Sequence, residues 1–306
     1  MFSSIDPEAL RQQYANDQFL RTRQTMHQEY SVPKVHFPDW VLDRIEWRGD
    51  EVVLDVGAGT GTYYDSLRTR WPDVKYYGFD KSAGILKTHR APATLAVADA
   101  EHLPFPDETF DVVMANHVLY HVPNIEQAIS ECRRVLKPDG LLVTATNSQH
   151  TMPEFQALFR RALILLSAPG HVYNQVPNNP FSLESGVPLL ARQFYAVVRH
   201  DLPSAFVFPS IEPVMDYLQS WRSMREPELP GDIKWDELMV VVQDQIDRVM
   251  NHFGELIVNK ISGVLIATNS GGFIQEYVRR LQTHTTPSPD ELPNPDDGAG
   301  QPTSAP

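Results

Sequence analysis

A short apolar run followed at once by three alternate glycines, within residues 51–64 (EVVLDVGAGTGTYY), constrains the fold more than any other stretch. Residues 52–54 are Val, Val and Leu, which is typical of a strand buried on both faces. The glycines that follow are Gly57, Gly59 and Gly61. Glycine permits a sharp turn and has no Cβ, so a ligand can lie against the main chain near the N-terminus of the next helix. The stretch therefore predicts a ligand site at the end of a buried strand.

The spacing of these glycines bears on the class of ligand. A dinucleotide-binding loop requires G-x-G-x-x-G, whose last glycine permits close packing of helix on strand. Counted from Gly57 the sixth residue is Thr62, and counted from Gly59 it is Tyr64, so neither frame completes that pattern. A nicotinamide cofactor is therefore disfavoured. No Gly-Lys-Ser/Thr follows, which excludes a P-loop.

An acidic residue followed by G-x-G-x-G after the first strand resembles the first motif of the class I S-adenosylmethionine-dependent methyltransferases, and Asp55 is that residue here. The resemblance is to the small-molecule, type 11-like branch. It implies S-adenosyl-L-methionine as cofactor and S-adenosyl-L-homocysteine as product. It also implies an α/β fold: a Rossmann-like, mostly parallel seven-stranded sheet with helices on both faces, N-terminal helices and a helical cap inserted after strand 5. The alternative is a glycine-rich turn with a purely structural role.

A second carboxylate follows the predicted second strand, residues 75–79. Asp80 comes nineteen residues after Gly61, and an acidic residue about twenty positions past the glycines can accept hydrogen bonds from both ribose hydroxyls. We expect Asp80 and the adjacent Lys81 to contact the cofactor. The alternative for Asp80 is an N-cap of the helix that starts near Ser82.

The residues after the predicted third strand are similar to the family's third motif. Asp99 and Ala100 are followed by Leu-Pro-Phe at residues 103–105. The resemblance assigns the Asp99 carboxylate to the exocyclic amino group of adenine, a donor that needs an acceptor, with the backbone of Ala100 nearby. The alternative for Asp99 is a turn residue that bonds its own backbone.

Residues 107–116 predict the fourth strand with its lead-in, and Phe110-Asp111-Val112-Val113 resembles the family pattern F-D-V-V. In this fold the strand ends beside the sulfonium. The resemblance therefore places next to the methyl group, as cofactor or acceptor contacts, Asn116, His117, Tyr120 and His121. His117 or His121 could act as a base on the acceptor. The alternative is that these histidines orient the cofactor methionine or cap the next helix.

The resemblance is strong over residues 50–146 and weak in the flanks. It ends with R-R-V-L-K-P-D-G-L-L-V at residues 133–143, which forms part of the fold and says nothing of the substrate. N-terminal helices of this family often cover the cofactor, so Tyr14 and Tyr30 are candidate pocket residues; the alternative is packing against the core. The aromatic flanks suggest a partly apolar acceptor.

We expect five segments: an N-terminal helical lid (1–45), a cofactor-binding core (46–146), a cap for the acceptor pocket (147–205), the remaining strands and helices (206–283) and a disordered tail (284–306). The sixth strand is expected near residues 193–199 or 206–209, and the last strand region at 255–260 and 262–268. The tail is rich in Pro, Gly, Ser and Asp and cannot bury enough apolar surface to order itself.

Charge and composition limit the partners. A net charge of −13 without a clustered basic patch opposes binding to a phosphate backbone, so a nucleic-acid acceptor is disfavoured and a small molecule favoured. Cys132 is the single cysteine, which excludes an intramolecular disulfide and a cysteine-built zinc site; no metal is expected. The absence of an eighteen-residue apolar run and of a leader indicates no membrane span and a cytoplasmic protein.

The sequence thus predicts an enzyme that transfers a methyl group by in-line displacement to an O, N or C nucleophile of a small molecule. Two alternatives remain: a protein that binds S-adenosylmethionine without turnover, and an NAD-linked oxidoreductase, which the glycine spacing opposes.

Overall fold

The computed structural model describes residues 18–91, 94–166, 179–272, 274–275 and 277–279. Tyr14 and the tail at residues 284–306 lie outside this part of the chain.

The strands form one sheet, and their bounds are β1 (Ser31–Val32), β2 (Val52–Val56), β3 (Lys75–Asp80), β4 (Leu95–Val97), β5 (Phe110–Met114), β6 (Leu136–Asn147), β7 (Ala196–Phe208) and β8 (Leu256–Thr268). Their spatial order is β1-β7-β8-β6-β5-β2-β3-β4. The pairs from β6 through β5, β2 and β3 to β4 are parallel, whereas β1, β7 and β8 join the sheet antiparallel. The sheet is thus Rossmann-like and mixed, with helices on both faces.

The helices are α1 (Gln18–Tyr30), α2 (Phe37–Leu42), α3 (Thr62–Arg70), α4 (Ala83–Leu86), α5 (Ile125–Val135), α6 (Pro153–Leu166), α7 (Leu183–Ala191), α8 (Ile211–Gln219), α9 (Arg222–Arg225) and α10 (Trp235–Phe253). Helix α5 shows why such segments become helical. Asn124 accepts a hydrogen bond from the Gln127 amide at its N-terminus, and Ala128, Ile129, Cys132 and Val135 make one buried stripe.

The described sheet has eight strands rather than the expected seven. The additional strand is β1, two residues long, whose Ser31 and Val32 pair with Phe206 and Ala205 of β7. A two-residue strand carries no periodic pattern, so the sequence offers no signal for it.

The sequence offered two short alternatives for the sixth strand, but β7 is one strand of 13 residues that overlaps both. The boundary expected between residues 205 and 206 therefore falls inside β7. Pro203 lies inside β7 although proline lacks an N–H. It is accommodated because β8 pairs with β7 on one side throughout, whereas the described pairing on the other side is confined to β1.

Three hydrophobic clusters fill the space between the sheet and the helices. The α5/α7 cluster includes Ile129, Cys132, Leu183, Leu190 and Leu265, and the α2/α3 cluster on the other face includes Val41, Leu42, Leu67, Val53 and Ile266. The α6/α10 cluster includes Leu158, Phe206, Trp235, Ile246 and Val258. Strand β8 contributes to all three, so one strand connects the layers.

Candidate active site

The carboxyl ends of the parallel strands β2, β3, β4 and β5 bring together residues that are far apart in the sequence. They line a cavity of about 1880 Å³. Most of the residues singled out in the sequence line it: Asp55, Gly57, Gly59, Asp80, Lys81, Asp99, Ala100, Asn116, His117, Tyr120 and His121. Open α/β sheets bind ligands at this edge.

Two of the predicted residues do not line the cavity. Gly61 instead begins α3 as its N-cap. Tyr30 packs against the α6/α10 cluster, with its ring centroid 5.1 Å from that of Phe208. Tyr30 therefore packs against the core and does not line this cavity, because α1 lies against β7 at that point.

The glycine loop after β2 adopts a conformation that favours glycine at each of its three glycines. The φ angles are +73° at Gly57, +57° at Gly59 and +84° at Gly61. A Cβ on Gly57 would lie 2.6 Å from Val118, and one on Gly61 would lie 2.8 Å from His89. A Cβ on Gly59 would have no atom closer than 3.8 Å. Packing thus requires the first and third glycines, whereas the second has open space beside it.

Asp80 supports this loop directly. Its Oδ2 accepts a hydrogen bond from the Gly59 amide at 3.2 Å, and its Oδ1 accepts one from the Ser82 amide at 2.8 Å. Burial raises the pKa of Asp80, and these backbone donors oppose that rise. Ser82, not Asp80, is the N-cap of α4. Each carboxylate oxygen keeps a second lone pair for a ligand.

Asp99 forms an ion pair with Lys81 at 2.7 Å, and its other oxygen accepts a hydrogen bond from the Glu101 amide at 3.1 Å. Partial burial raises the pKa of Asp99, but the hydrogen bonds from Lys81 and the Glu101 amide, together with the Lys81 charge, outweigh it, so the pKa lies below its ordinary value. Asp99 therefore combines the turn role with a position on the cavity. The ion pair therefore holds the Lys81 ammonium beside Asp99.

A chain of hydrogen bonds lies beneath the glycine loop, and two of its members were missed from the sequence. Tyr76 donates to Asp55 Oδ2 at 2.9 Å, and His89 Nε2 lies 3.1 Å from the Tyr76 hydroxyl. His89 Nδ1 accepts from the Ala91 amide, so neutral His89 carries its hydrogen on Nε2 and donates to Tyr76. Burial raises the pKa of Asp55 to about 7. No periodic pattern relates residues 55, 76 and 89, so only the fold shows the chain.

Burial determines the protonation of the two predicted histidines. It lowers the pKa of His117 to about 4 and that of His121 to about 3, so both are neutral near pH 7. His117 has a φ of +55°, and its amide donates to the Ala145 carbonyl at 2.8 Å. The carboxamide of Asn116 is held by the Ala145 amide, which donates to its Oδ1 at 2.8 Å.

The other end of the cavity, here called the acceptor end, was predicted only as a cap over residues 147–205, without its lining residues. Side chains of α6, α8 and α10 and of the N-cap residue of α9 line it with apolar surface, namely Phe159, Leu163, Tyr217, Trp235 and Trp221. His27 and Lys260 line it too. The apolar side chains of α6 divide into two groups: Phe155, Leu158 and Ala162 are buried in the core, whereas Phe159 and Leu163 also reach the cavity.

Among the helices described, none combines the length and the apolar character that crossing a bilayer requires.

Comparison with known proteins agrees with this site. Residues 54–144 match the family model described as a methyltransferase domain. The chain is 37% identical over 117 residues to a malonyl-[acyl-carrier protein] O-methyltransferase of Geobacter sulfurreducens, covering 36% of this chain and 44% of that protein. It is 34% identical over 143 residues to a demethylmenaquinone methyltransferase of Renibacterium salmoninarum, covering 46% and 59%. The chain thus spans about half the length of these relatives.

The fold has solved counterparts. A methyltransferase-like protein of Bacillus halodurans matches with a TM-score of 0.52 at 19% identity, over 76% of this chain and 98% of that one. Residues 54–144, which match the family model, contain the glycine loop, Asp80, Asp99 and the residues after β5. Residues 54–144 therefore match a methyltransferase domain, in agreement with the resemblance to the class I S-adenosylmethionine-dependent family.

Proposed function

We propose that the protein transfers a methyl group from S-adenosylmethionine to a nucleophilic O, N or C atom of a small molecule. The observation that carries this proposal is the meeting of the glycine loop, Asp80 and Asp99 on one cavity at the carboxyl ends of adjacent parallel strands. The match of residues 54–144 to a methyltransferase domain supports it.

The residues present fit the cofactor. Gly59 leaves the main chain open to the cavity, and Asp80 beside it offers acceptors and no donor, which suits the two ribose hydroxyls. Asp99, with Ala100 next to it, would accept the adenine amino group through the lone pairs that Lys81 and Glu101 leave. Gly57 and Asp55 would complete the surface under the methionine portion, and Asn116 and His121 lie across the cavity on the β5 side.

When bound, S-adenosylmethionine supplies a methyl carbon that is already a good electrophile. The chain's own residues then have two tasks, which are to hold the nucleophile in line with the methyl group and to exclude water. In this proposal His117 and His121 serve the first task. Their low pKa values make them weak proton acceptors near pH 7, so we assign them an orienting role rather than that of a base.

The acceptor is a separate question from the cofactor. One named relative acts on a malonyl group on a carrier protein and another on demethylmenaquinone, so relatedness over the methyltransferase domain leaves the acceptor open. The apolar side chains at the acceptor end, with Tyr120 nearer the glycine loop, support an acceptor that is partly apolar.

Calorimetric titration with S-adenosylhomocysteine tests the cofactor assignment. We expect micromolar binding and an increase in melting temperature, since a ligand at one hundred times its dissociation constant stabilises the folded state by about 2.7 kcal/mol. NADH in the same assay should have no effect. Stabilisation by NADH and not by S-adenosylhomocysteine would replace this function with that of an oxidoreductase.

Labelled S-adenosylmethionine with a panel of acceptors tests the transfer. The panel should include carboxylic acids, quinols, phenols and amines with apolar portions. Label in an extracted product supports the proposal. Tight binding of S-adenosylhomocysteine with no label transferred to any member would indicate a protein that binds the cofactor without turnover.

A further inference from the structure

A cluster of polar groups lies at the acceptor end of the cavity, where α1, β1 and β8 meet. Lys260 of β8 is only 4% exposed. Its Nζ donates to Ser31 Oγ at 2.6 Å and to His27 Nδ1 at 3.1 Å. The same ammonium lies 3.7 Å from the centroid of the Phe206 ring, a favourable cation–π distance.

This cluster has no negative charge of its own. Within the described ranges, no ion pair includes Lys260 or His27. The charged groups that act on the pKa of His27 are all cationic or potentially so: Lys260, His117 and Arg23. The one that acts on Lys260 is Lys34.

The acids that line the cavity lie elsewhere. Asp55, Asp65, Asp80 and Asp99 belong to the glycine-loop side. Glu228, near α9, is 4.0 Å from Arg225. In a chain of net charge −13, the wall at Lys260 is therefore locally positive. A buried cation without a counter-charge is unfavourable, so an anion that enters the cavity gains from this position.

The hydrogen-bond geometry of His27 agrees with an anionic ligand. Because Nδ1 accepts from Lys260, neutral His27 carries its hydrogen on Nε2. His27 lines the cavity, so Nε2–H is the ring donor left for a ligand. Desolvation by the cavity walls, and then the Lys260 charge, lowers the pKa of His27 below its ordinary value, which keeps the ring neutral near pH 7.

We propose that His27 and Lys260 bind an anionic group, a carboxylate or a phosphate, of the methyl acceptor. The inference rests on the proposed function and specifies the acceptor's class: an amphiphilic anion whose apolar portion contacts Phe159, Leu163 and Trp221. His27 donates to the anion, and Lys260 supplies the charge and orients the ring.

Binding of simple probes tests this without knowledge of the acceptor. The probes are octanoate, octyl phosphate and 1-octanol, each titrated by calorimetry into the full chain saturated with S-adenosylhomocysteine. We expect at least one anion to bind ten times more tightly than 1-octanol. Preference for octanoate would indicate a carboxylic acid, and preference for octyl phosphate would indicate a phosphate ester. Equal affinity for all three probes would overturn the proposal.

Variants of Lys260 and His27 test whether the preference for anions over 1-octanol comes from these two residues. Lys260→Met keeps the length of the side chain without the charge, and His27→Phe keeps a ring against Phe206 without the donor. Both should lose the anion preference tenfold or more while binding 1-octanol and S-adenosylhomocysteine as the natural protein does. Lys87→Met, which removes one exposed charge away from the cavity, is the control and should retain the preference. Anion binding unchanged in Lys260→Met would contradict the proposal.

Proton uptake gives an independent readout. Burial, with Lys34 nearby, lowers the pKa of Lys260 to about 7, and a bound anion should raise it again. Anion binding at pH 8 should therefore take up protons, measured as a dependence of the observed heat on buffer ionisation enthalpy, and Lys260→Met should abolish this uptake. If S-adenosylhomocysteine itself does not bind, the proposed function fails; if it binds but no anion is preferred, only this inference fails.

Discussion

At the scale of single residues, Asp80 has two connected tasks. It holds the glycine loop through the Gly59 amide, and it presents the remaining lone pairs of a carboxylate to the cavity. The same side chain therefore supports the loop conformation and makes the proposed contact with the ribose. Substitution of Asp80 should affect cofactor binding both directly and through the loop.

We predict that Asp80→Ala weakens binding of S-adenosylhomocysteine by about 1–3 kcal/mol, the scale of a hydrogen bond to a charged group. Calorimetry measures the change. Asp73→Ala, at an exposed aspartate outside the cavity lining, is the matched control and should bind normally. An Asp80→Ala protein that is folded and binds with unchanged affinity would remove Asp80 from the site.

Asp55 should make stability depend on pH. Its carboxyl ionises near its ordinary pKa of 3.8 when unfolded and near 7 when folded, because burial disfavours the charge. Between those values the folded state binds more protons, so this residue lowers the free energy of unfolding as pH rises from about 4 to 7, by about 1.4 kcal/mol per unit of pKa shift. Above the folded pKa its contribution is constant.

We predict that Asp55→Asn removes this pH dependence, since an amide does not titrate. Urea unfolding of both proteins from pH 4 to pH 8 should show the stability of the variant relative to the natural protein increasing up to about pH 7. The buried histidines have lowered pKa values, so they raise the free energy of unfolding as pH rises. They do so equally in both proteins, and their effect cancels in the difference. A constant difference across this range would refute the role assigned to Asp55.

At the scale of elements, packing requires two glycines of the glycine loop, and the remaining glycine leaves space for a ligand. Gly57 and Gly61 face Val118 and His89, whereas Gly59 has open space beside it. The sequence shows the spacing of the three glycines. Only the structure shows which side chains surround each of them, and therefore why each position is glycine.

We predict different outcomes for Gly57→Ala and Gly59→Ala. Both should lose about 1–2 kcal/mol of unfolding free energy from a left-handed φ, and Gly57→Ala should lose a further 1–3 or so from overpacking against Val118. Gly59→Ala should remain folded but bind S-adenosylhomocysteine about tenfold more weakly, because its Cβ occupies space beside the main chain. Thermal unfolding and calorimetry on the pair measure both effects. Unchanged affinity in Gly59→Ala would indicate that no ligand lies against this residue.

The elements differ in how far the sequence predicted them. The strands β2, β3 and β5 lie within a few residues of their predicted positions, because buried strands have a distinct pattern. Strand β7 is longer than either predicted segment, and β8 joins the two predicted runs into one strand, since each is paired to the other over 13 residues. Strand length there depends on the partner and not on local propensity.

At the scale of the whole molecule, β8 connects the hydrophobic layers. Val258 belongs to the α6/α10 cluster, Leu265 to the α5/α7 cluster and Ile266 to the α2/α3 cluster. The cofactor-binding core and the acceptor end therefore share a strand. We expect them to unfold together rather than as the separate segments suggested by the sequence.

We predict that Ile246→Ala, which creates a cavity in the α6/α10 cluster, lowers the free energy of unfolding by about 2–5 kcal/mol. Ile246 is fully buried and lies outside the active-site lining, so affinity for S-adenosylhomocysteine should not change. Far-ultraviolet circular dichroism and tryptophan fluorescence should report one coincident transition in both proteins. Two separated transitions would show that the layers unfold independently.

The sequence by itself determined the class of fold and the glycine-loop side of the cavity. Buried strands, a glycine loop and carboxylates at strand ends are local features, and their order and spacing follow from the geometry of a parallel sheet. Tertiary structure alone decided the acceptor end, the chain from His89 to Asp55 and the cluster of Lys260 with His27. The side chains in these groups come from elements that are far apart in the sequence, and their pKa values depend on burial. No local pattern in the sequence therefore predicts which side chains meet or how their pKa values shift.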